Sequence, residues 1–98
     1  MFDAKTIATA IVEAAAGIAA RTPIGAADQT IASILKSADQ YLTVADNCLQ
    51  TGEIETTIHA LAAADAACRL VDVLMADPSN PAAVALAEPW ARHGEVAA

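Results

Sequence analysis

The chain has 98 residues, a formal net charge of −7 and only five Lys and Arg against twelve Asp and Glu. That length sets one domain, residues 1–98, and that charge excludes the basic stripe needed to neutralise nucleic-acid phosphates or to dock onto anionic membranes. Hydrophobic residues make up 56% of the chain, but 27 of them are Ala and 26 are larger side chains other than Cys, so the core is thin for its length and self-association would add to it.

Helix formers dominate, Gly and Pro number four each, and strand-like alternation is missing, so the expected class is all-α. Asp3 is placed to cap a first helix, with Thr6 in its first turn. Ile7, Ile11, Ala14 and Ile18 recur on one side at helical spacing, while the other faces are nearly all Ala, with Gly17 among them. Arg21 suits the C-terminal end of the helix dipole. Thr22-Pro23 is expected to end this helix, because proline lacks an N–H donor and clashes with the preceding turn.

The start of the second helix has two readings. Thr22 could cap it, with Pro23 in the first helical position, or Asp28 could be the cap. Ile24 is in phase with the stripe that follows and favours the early start, and Gly25 weakens it. From Ile31 the pattern is two-faced: Ile31, Ile34, Leu35, Ala38, Tyr41, Leu42, Ala45, Cys48 and Leu49 on one side, and Lys36, Asp39, Gln40, Thr43, Asp46, Asn47 and Gln50 on the other. Thr51-Gly52 stops this helix, and Thr51 is a candidate cap for the next.

The third helix is predicted to run to about residue 76, with Ile54, Ile58, Leu61, Ala64, Cys68, Val71 and Met75 inward. Its opposite side is also apolar, with Ala62, Ala63, Ala66, Leu70 and Val73, and a helix apolar most of the way round is covered on more than one side. Asn80 and Pro81 read as the cap and first residue of a short fourth helix that Pro89 ends or kinks. One more turn around Trp90 and a frayed end follow. The expected architecture is therefore a small helical bundle, three long helices plus a short C-terminal one, built on a central antiparallel helical hairpin over residues 28–76. The turn sequences at residues 51–55 and 77–81 suggest stacked helical hairpins. Their spacing is several residues too long for a tetratricopeptide unit, and no second copy exists.

Several chemistries meet obstacles. The apolar run at residues 7–20 is interrupted by Glu13 and has no basic leader. No uninterrupted run reaches the roughly 20 residues of a membrane span, so a cytoplasmic chain without membrane contact is expected. In the hairpin, Cys68 lies about 20 Å beyond the residues opposite Cys48 at 1.5 Å per residue, too far for a disulfide, so two reduced buried thiols are expected. Glu55 and His59 have the i, i+4 spacing of a metal pair, but no second pair completes a site, and His93 stands near the C-terminus. There is no Gly-rich phosphate loop, no nucleophile elbow, no HExxH, and no Ser near a His in sequence. No catalytic residue, metal or cofactor is expected.

What remains is surface for a protein partner or for the chain itself. Leu70, Val73, Ala66 and Trp90 form the candidate interface, with Trp90 open to two readings, a cap on the core or an exposed anchor. Asp65, Arg69 and Asp72 form an i, i+4, i+7 ladder, either a rim salt-bridge network or a device fixing the register of a helix interface. The leading expectation is a non-enzymatic, self-associating helical adaptor or assembly subunit. One alternative is a small acidic chaperone or inhibitor that masks a basic or amphipathic protein. Another is a small metal-binding protein or enzyme resting on Glu55 and His59. Net −5 of the charge falls in residues 26–76, which is where a basic partner would be met.

Overall fold

The structure is a computed structural model that describes residues 3–25 and 27–97. Among the described residues four helices form: α1 (Ala4–Gly25), α2 (Gln29–Gln50), α3 (Ile54–Ala76) and α4 (Pro81–Ala97). Among the described residues there is no strand. The protein is an all-α bundle with the antiparallel α2–α3 hairpin at its centre.

Local chemistry sets each boundary. Asp3 accepts from the backbone N–H of Thr6 at 2.7 Å and starts α1. Asp28 is the cap of α2, accepting from the N–H groups of Thr30 and Ile31 at 2.9 and 3.1 Å, so the later of the two possible starts is the real one. Gly52 turns the chain at φ +81°, a conformation that costs other residues a Cβ clash. Thr51 does not cap α3. Its hydroxyl donates to the Cys48 carbonyl and to Glu53 Oε2, and Glu53 occupies the cap position with no side-chain cap bond. Asn80 Oδ1 accepts from Ala83 N–H at 3.1 Å and starts α4, with Pro81 first in the helix.

Pro23, expected to end α1, and Pro89, expected to end or kink α4, both lie inside their helices. Pro23 sits in the last turn of α1, and Pro89 lies midway along α4. Their missing i→i−4 partners are the carbonyls of Ala19 and Ala85, both on solvent-exposed residues where water can take the acceptor. The Thr22 hydroxyl also donates to the Ile18 carbonyl at 2.8 Å, tightening the last turn of α1. Ile24, read as part of the α2 stripe, therefore ends up on α1 and is 71% exposed. The fourth helix, at 17 residues, is longer than the sequence suggested.

α1 and α4 pack on opposite faces of the hairpin and make no contact with each other among the described residues. The α1 side of α3 carries Leu61, Asp65, Cys68 and Asp72, and the α4 side carries Ala63, Ala66 and Leu70. The hairpin seam itself is built from Ile34, Leu35, Ala38, Leu42 and Ala45 of α2 against Thr57, Ala60, Ala64, Ala67, Cys68, Val71 and Leu74 of α3, all buried. Compared with the expected inward stripe of α3, the helix is turned so that Thr57 and Leu74 go in, while Ile54 and Met75 move toward the rim. Thr57 is tolerated with no exposure because its hydroxyl donates to the Glu53 carbonyl at 2.8 Å.

α1 is, by length and composition, long and apolar enough to cross a membrane. Counting uninterrupted apolar runs missed this, because Glu13 and Arg21 are the only charged residues between Thr6 and Pro23. In the fold, α1 lies along the hairpin with Ile7 and Ile18 buried. Its end comes very close to α2: a Cβ on Gly25 would stand 2.5 Å from Ile31 Cγ2. Gly25→Ala should therefore lower unfolding free energy by about 1–3 kcal/mol through overpacking. Gly52→Ala should cost about 1–2 kcal/mol through its positive φ alone. Urea titrations followed by circular dichroism check both, and an unchanged midpoint for Gly25→Ala would contradict this contact.

Candidate protein interface

α4 covers only part of the α2–α3 face on which it lies. Tyr41 from α2, Ala63, Ala66, Ala67 and Leu70 from α3, and Leu86 and Trp90 from α4 line a hollow of about 280 Å³. The small side chains Ala63 and Ala66 leave room between α3 and α4, while Leu86 and Trp90, four residues apart, stand on one face of α4. Among the described residues no charged side chain lines the hollow.

Of the four sequence-predicted interface residues, three meet here. Ala66 is exposed, Leu70 and Trp90 are half-buried, and all three line the hollow. Val73, one turn beyond Leu70, lies outside the hollow and is 41% exposed. Trp90 falls between its two readings: the indole packs against the core cluster, and its Nε1–H donates to Ser37 Oγ at 2.9 Å. This bond satisfies the polar end of a side chain that would otherwise lose hydrogen bonding on burial. The sequence reading missed Tyr41 and Leu86. Tyr41 falls on the inward stripe of α2 by periodicity but is exposed, and Leu86, 65% exposed, is marked in the sequence only by its i, i+4 relation to Trp90.

The predicted charge ladder divides. Arg69 Nε pairs with Asp65 at 2.9 Å, both largely exposed. Asp72 is held instead by Arg21 of α1, whose Nε and Nη2 donate to Asp72 Oδ1 and Oδ2 at 2.7 and 2.8 Å. Arg21 Nη1 also donates to the Gly17 carbonyl at 2.9 Å, which fixes the guanidinium plane. Azimuth alone did not show that α1 would bring a base across the seam. Among the described residues this is the only ion pair joining two helices. The Arg21 guanidinium holds the Asp72 carboxyl below its ordinary range, and the Arg21 pKa is raised in return.

The remaining candidates are apart from one another. Glu55 and His59 are exposed on α3, and among the described residues no group of three or more His, Cys, Asp or Glu could hold a metal ion. The side chain of His93 lies outside the described residues. Cys48 and Cys68 are both free, and Cys68 is buried under α1 in a groove with Ala14, Gly17 and Arg21. Burial pushes both thiols above their ordinary range, with Arg21 opposing the shift at Cys68. Neither has the depressed pKa of a reactive cysteine. Compared with protein-family models, curated proteins and solved structures, the chain has no match.

The Arg21–Asp72 pair is bidentate but roughly half open to water, Asp72 being 48% exposed. A double-mutant cycle with Arg21→Met and Asp72→Asn should give a coupling of about 0.5–1 kcal/mol. Because the Asp72 pKa is lower folded than unfolded, the coupling is complete above the unfolded carboxylate pKa of about 3.9 and disappears as pH falls through the folded value. Denaturation at pH 7 and at successively lower pH measures this, and a coupling already lost above about pH 3.9 would refute the assignment.

Proposed function

We propose that the chain is a non-enzymatic protein–protein interaction protein, a helical subunit that self-associates. The observation that carries this reading is surplus surface. The chain exposes 6230 Å², where a compact monomer of 9.9 kDa exposes about 5200 Å². Its radius of gyration is 14.1 Å against about 12.6 Å for a compact domain of that length. The excess goes with the elongated outline, 39 × 25 × 23 Å, which leaves long helix flanks open to a partner.

Part of that surface is contributed by large apolar side chains. Val73, Leu86, Val84 and Tyr41 are exposed on α3, α4 and α2, and Val12 and Ile24 on α1. The two free thiols fit a reducing compartment such as the cytoplasm. A second reading, masking of a basic partner, draws on the exposed acids Asp39, Asp46, Glu53 and Glu55 along the hairpin. Such a complex weakens steeply with salt, because exposed charges are screened beyond about 8 Å at physiological ionic strength.

Sedimentation equilibrium from micromolar to millimolar concentration tests the leading reading. A concentration-dependent mass above 9.9 kDa, little changed or strengthened by added salt, is expected, because salt screens the repulsion between chains of net charge −7. A monomer over the whole range would overturn it.

A further inference from the structure

α1 is seated differently from the two helices it covers. Of its 22 residues only Ile7, Ile18 and Gly25 are buried, against six in α2 and seven in α3. Open grooves of about 650 and 410 Å³ run along its two sides, one against α2 and one against α3. Close-packed contacts leave few voids larger than a water molecule, so α1 meets the hairpin along a narrow line. The fully buried centre of the seam, Ile34, Ala38, Ala64 and Val71, comes from α2 and α3 alone. α4, on the far face, makes no contact with α1 among the described residues.

One polar clasp spans that line. Arg21 donates through Nε and Nη2 to both carboxylate oxygens of Asp72 on α3, a fork that fixes direction as well as distance. Nη1 is tied to the Gly17 carbonyl on its own helix. A Cβ on Gly17 would stand 2.9 Å from Nη1, so the glycine makes room for the arginine to fold back. Cys68 lies one helical turn before Asp72 on α3. It is buried, and it shares its groove with Gly17 and Arg21. The thiol and the clasp thus belong to the same strip beneath α1.

We propose that α1 is a cover that undocks as a unit from an otherwise intact α2–α3–α4 bundle, latched by the Arg21–Asp72 fork, and that undocking presents the Leu61, Asp65, Cys68 and Asp72 strip of α3. This goes beyond self-association, because it takes place within one chain. Local opening draws on elements with few buried apolar contacts and costs less than global unfolding. Undocking gives up the burial of two large side chains, Ile7 and Ile18, while the seam and the α4 flank keep their own contacts. It also changes the chemistry of the flank. The closed surface is the alanine-rich outer side of α1, whereas the open one carries a thiol and the carboxylate of Asp72 released from its base.

Labelling of Cys68 by a soluble maleimide measures the opening, on the full chain at low micromolar concentration, with Cys48→Ala removing the other thiol. Where closing outpaces labelling, the rate follows the open population. The native rate should lie well below that of the urea-unfolded chain and should change little at low urea, because undocking exposes little surface. Arg21→Met and Asp72→Asn should each raise it about 2–5-fold, the equivalent of one half-exposed ion pair. Ala87→Gly, at a buried position of α4, should lower the urea midpoint of the Trp90 fluorescence transition and leave labelling unchanged. Labelling that rises with Ala87→Gly in step with the lost stability would mean that Cys68 is reached only through global unfolding, and would overturn the cover. A rate unmoved by both latch substitutions would overturn the latch, and a native rate equal to that of the unfolded chain would overturn the docked state itself.

Discussion

Close approach of α2 and α3 along an alanine-lined seam is the constraint on which everything else rests. Ala38, Ala45 and Ala64 have no exposure, and Ala60 and Ala67 have almost none. Side chains this small let two helices come together with few methylenes between them, so dispersion contacts are dense but each buried residue removes little apolar area from water. Ile34 and Val71, also fully buried, supply the bulk at the centre. A hairpin assembled in this way is well fitted and thinly insulated, and it needs cover on both broad faces. α1 and α4 provide that cover, each with the same economy of large side chains: Ile7 and Ile18 are buried from α1, and Ala83 and Ala87 from α4.

The parts of this arrangement that were legible in the sequence were those governed by local chemistry. Capping at Asp3 and Asn80, the glycine turn at Gly52 and the two-faced pattern of α2 each depend on residues within one helical turn. What escaped depended on partners far away in sequence. Proline at 23 and 89 predicts a break only if the carbonyl four residues earlier finds no other donor, and the exposure of Ala19 and Ala85, which lets water donate, is a tertiary fact. The rotation of α3 that brings Thr57 and Leu74 inward could not be read where Ala occupies so many positions, because alanine is compatible with every azimuth. For the same reason Asp72 looked like a neighbour of Arg69, whereas its partner Arg21 stands 51 residues away on α1.

The candidate interface was half visible. An over-apolar third helix announced that its outer side would be covered, and Ala66, Leu70 and Trp90 do converge. Tyr41 and Leu86 were hidden because their roles arise only when α4 lies antiparallel along α3 and stops short of filling the space beside it. The distribution of charge adds a distinction that composition alone conceals: the acidity of the chain is not spread evenly, and among the described residues the α4 hollow has no charged lining. A strongly acidic protein can thus keep its solubility while retaining one flank on which apolar contact is not opposed.

The separation of α1 from α4 by the full thickness of the hairpin also bears on how the molecule tolerates change. Residues without shared partners contribute to stability almost independently. An alteration under α1 and one under α4 therefore meet only through the α2–α3 seam, and that seam is too closely packed to yield by small degrees. The two flanks are accordingly free to diversify separately in sequence, one against the hairpin alone and the other against whatever it touches, while the alanines between them are not.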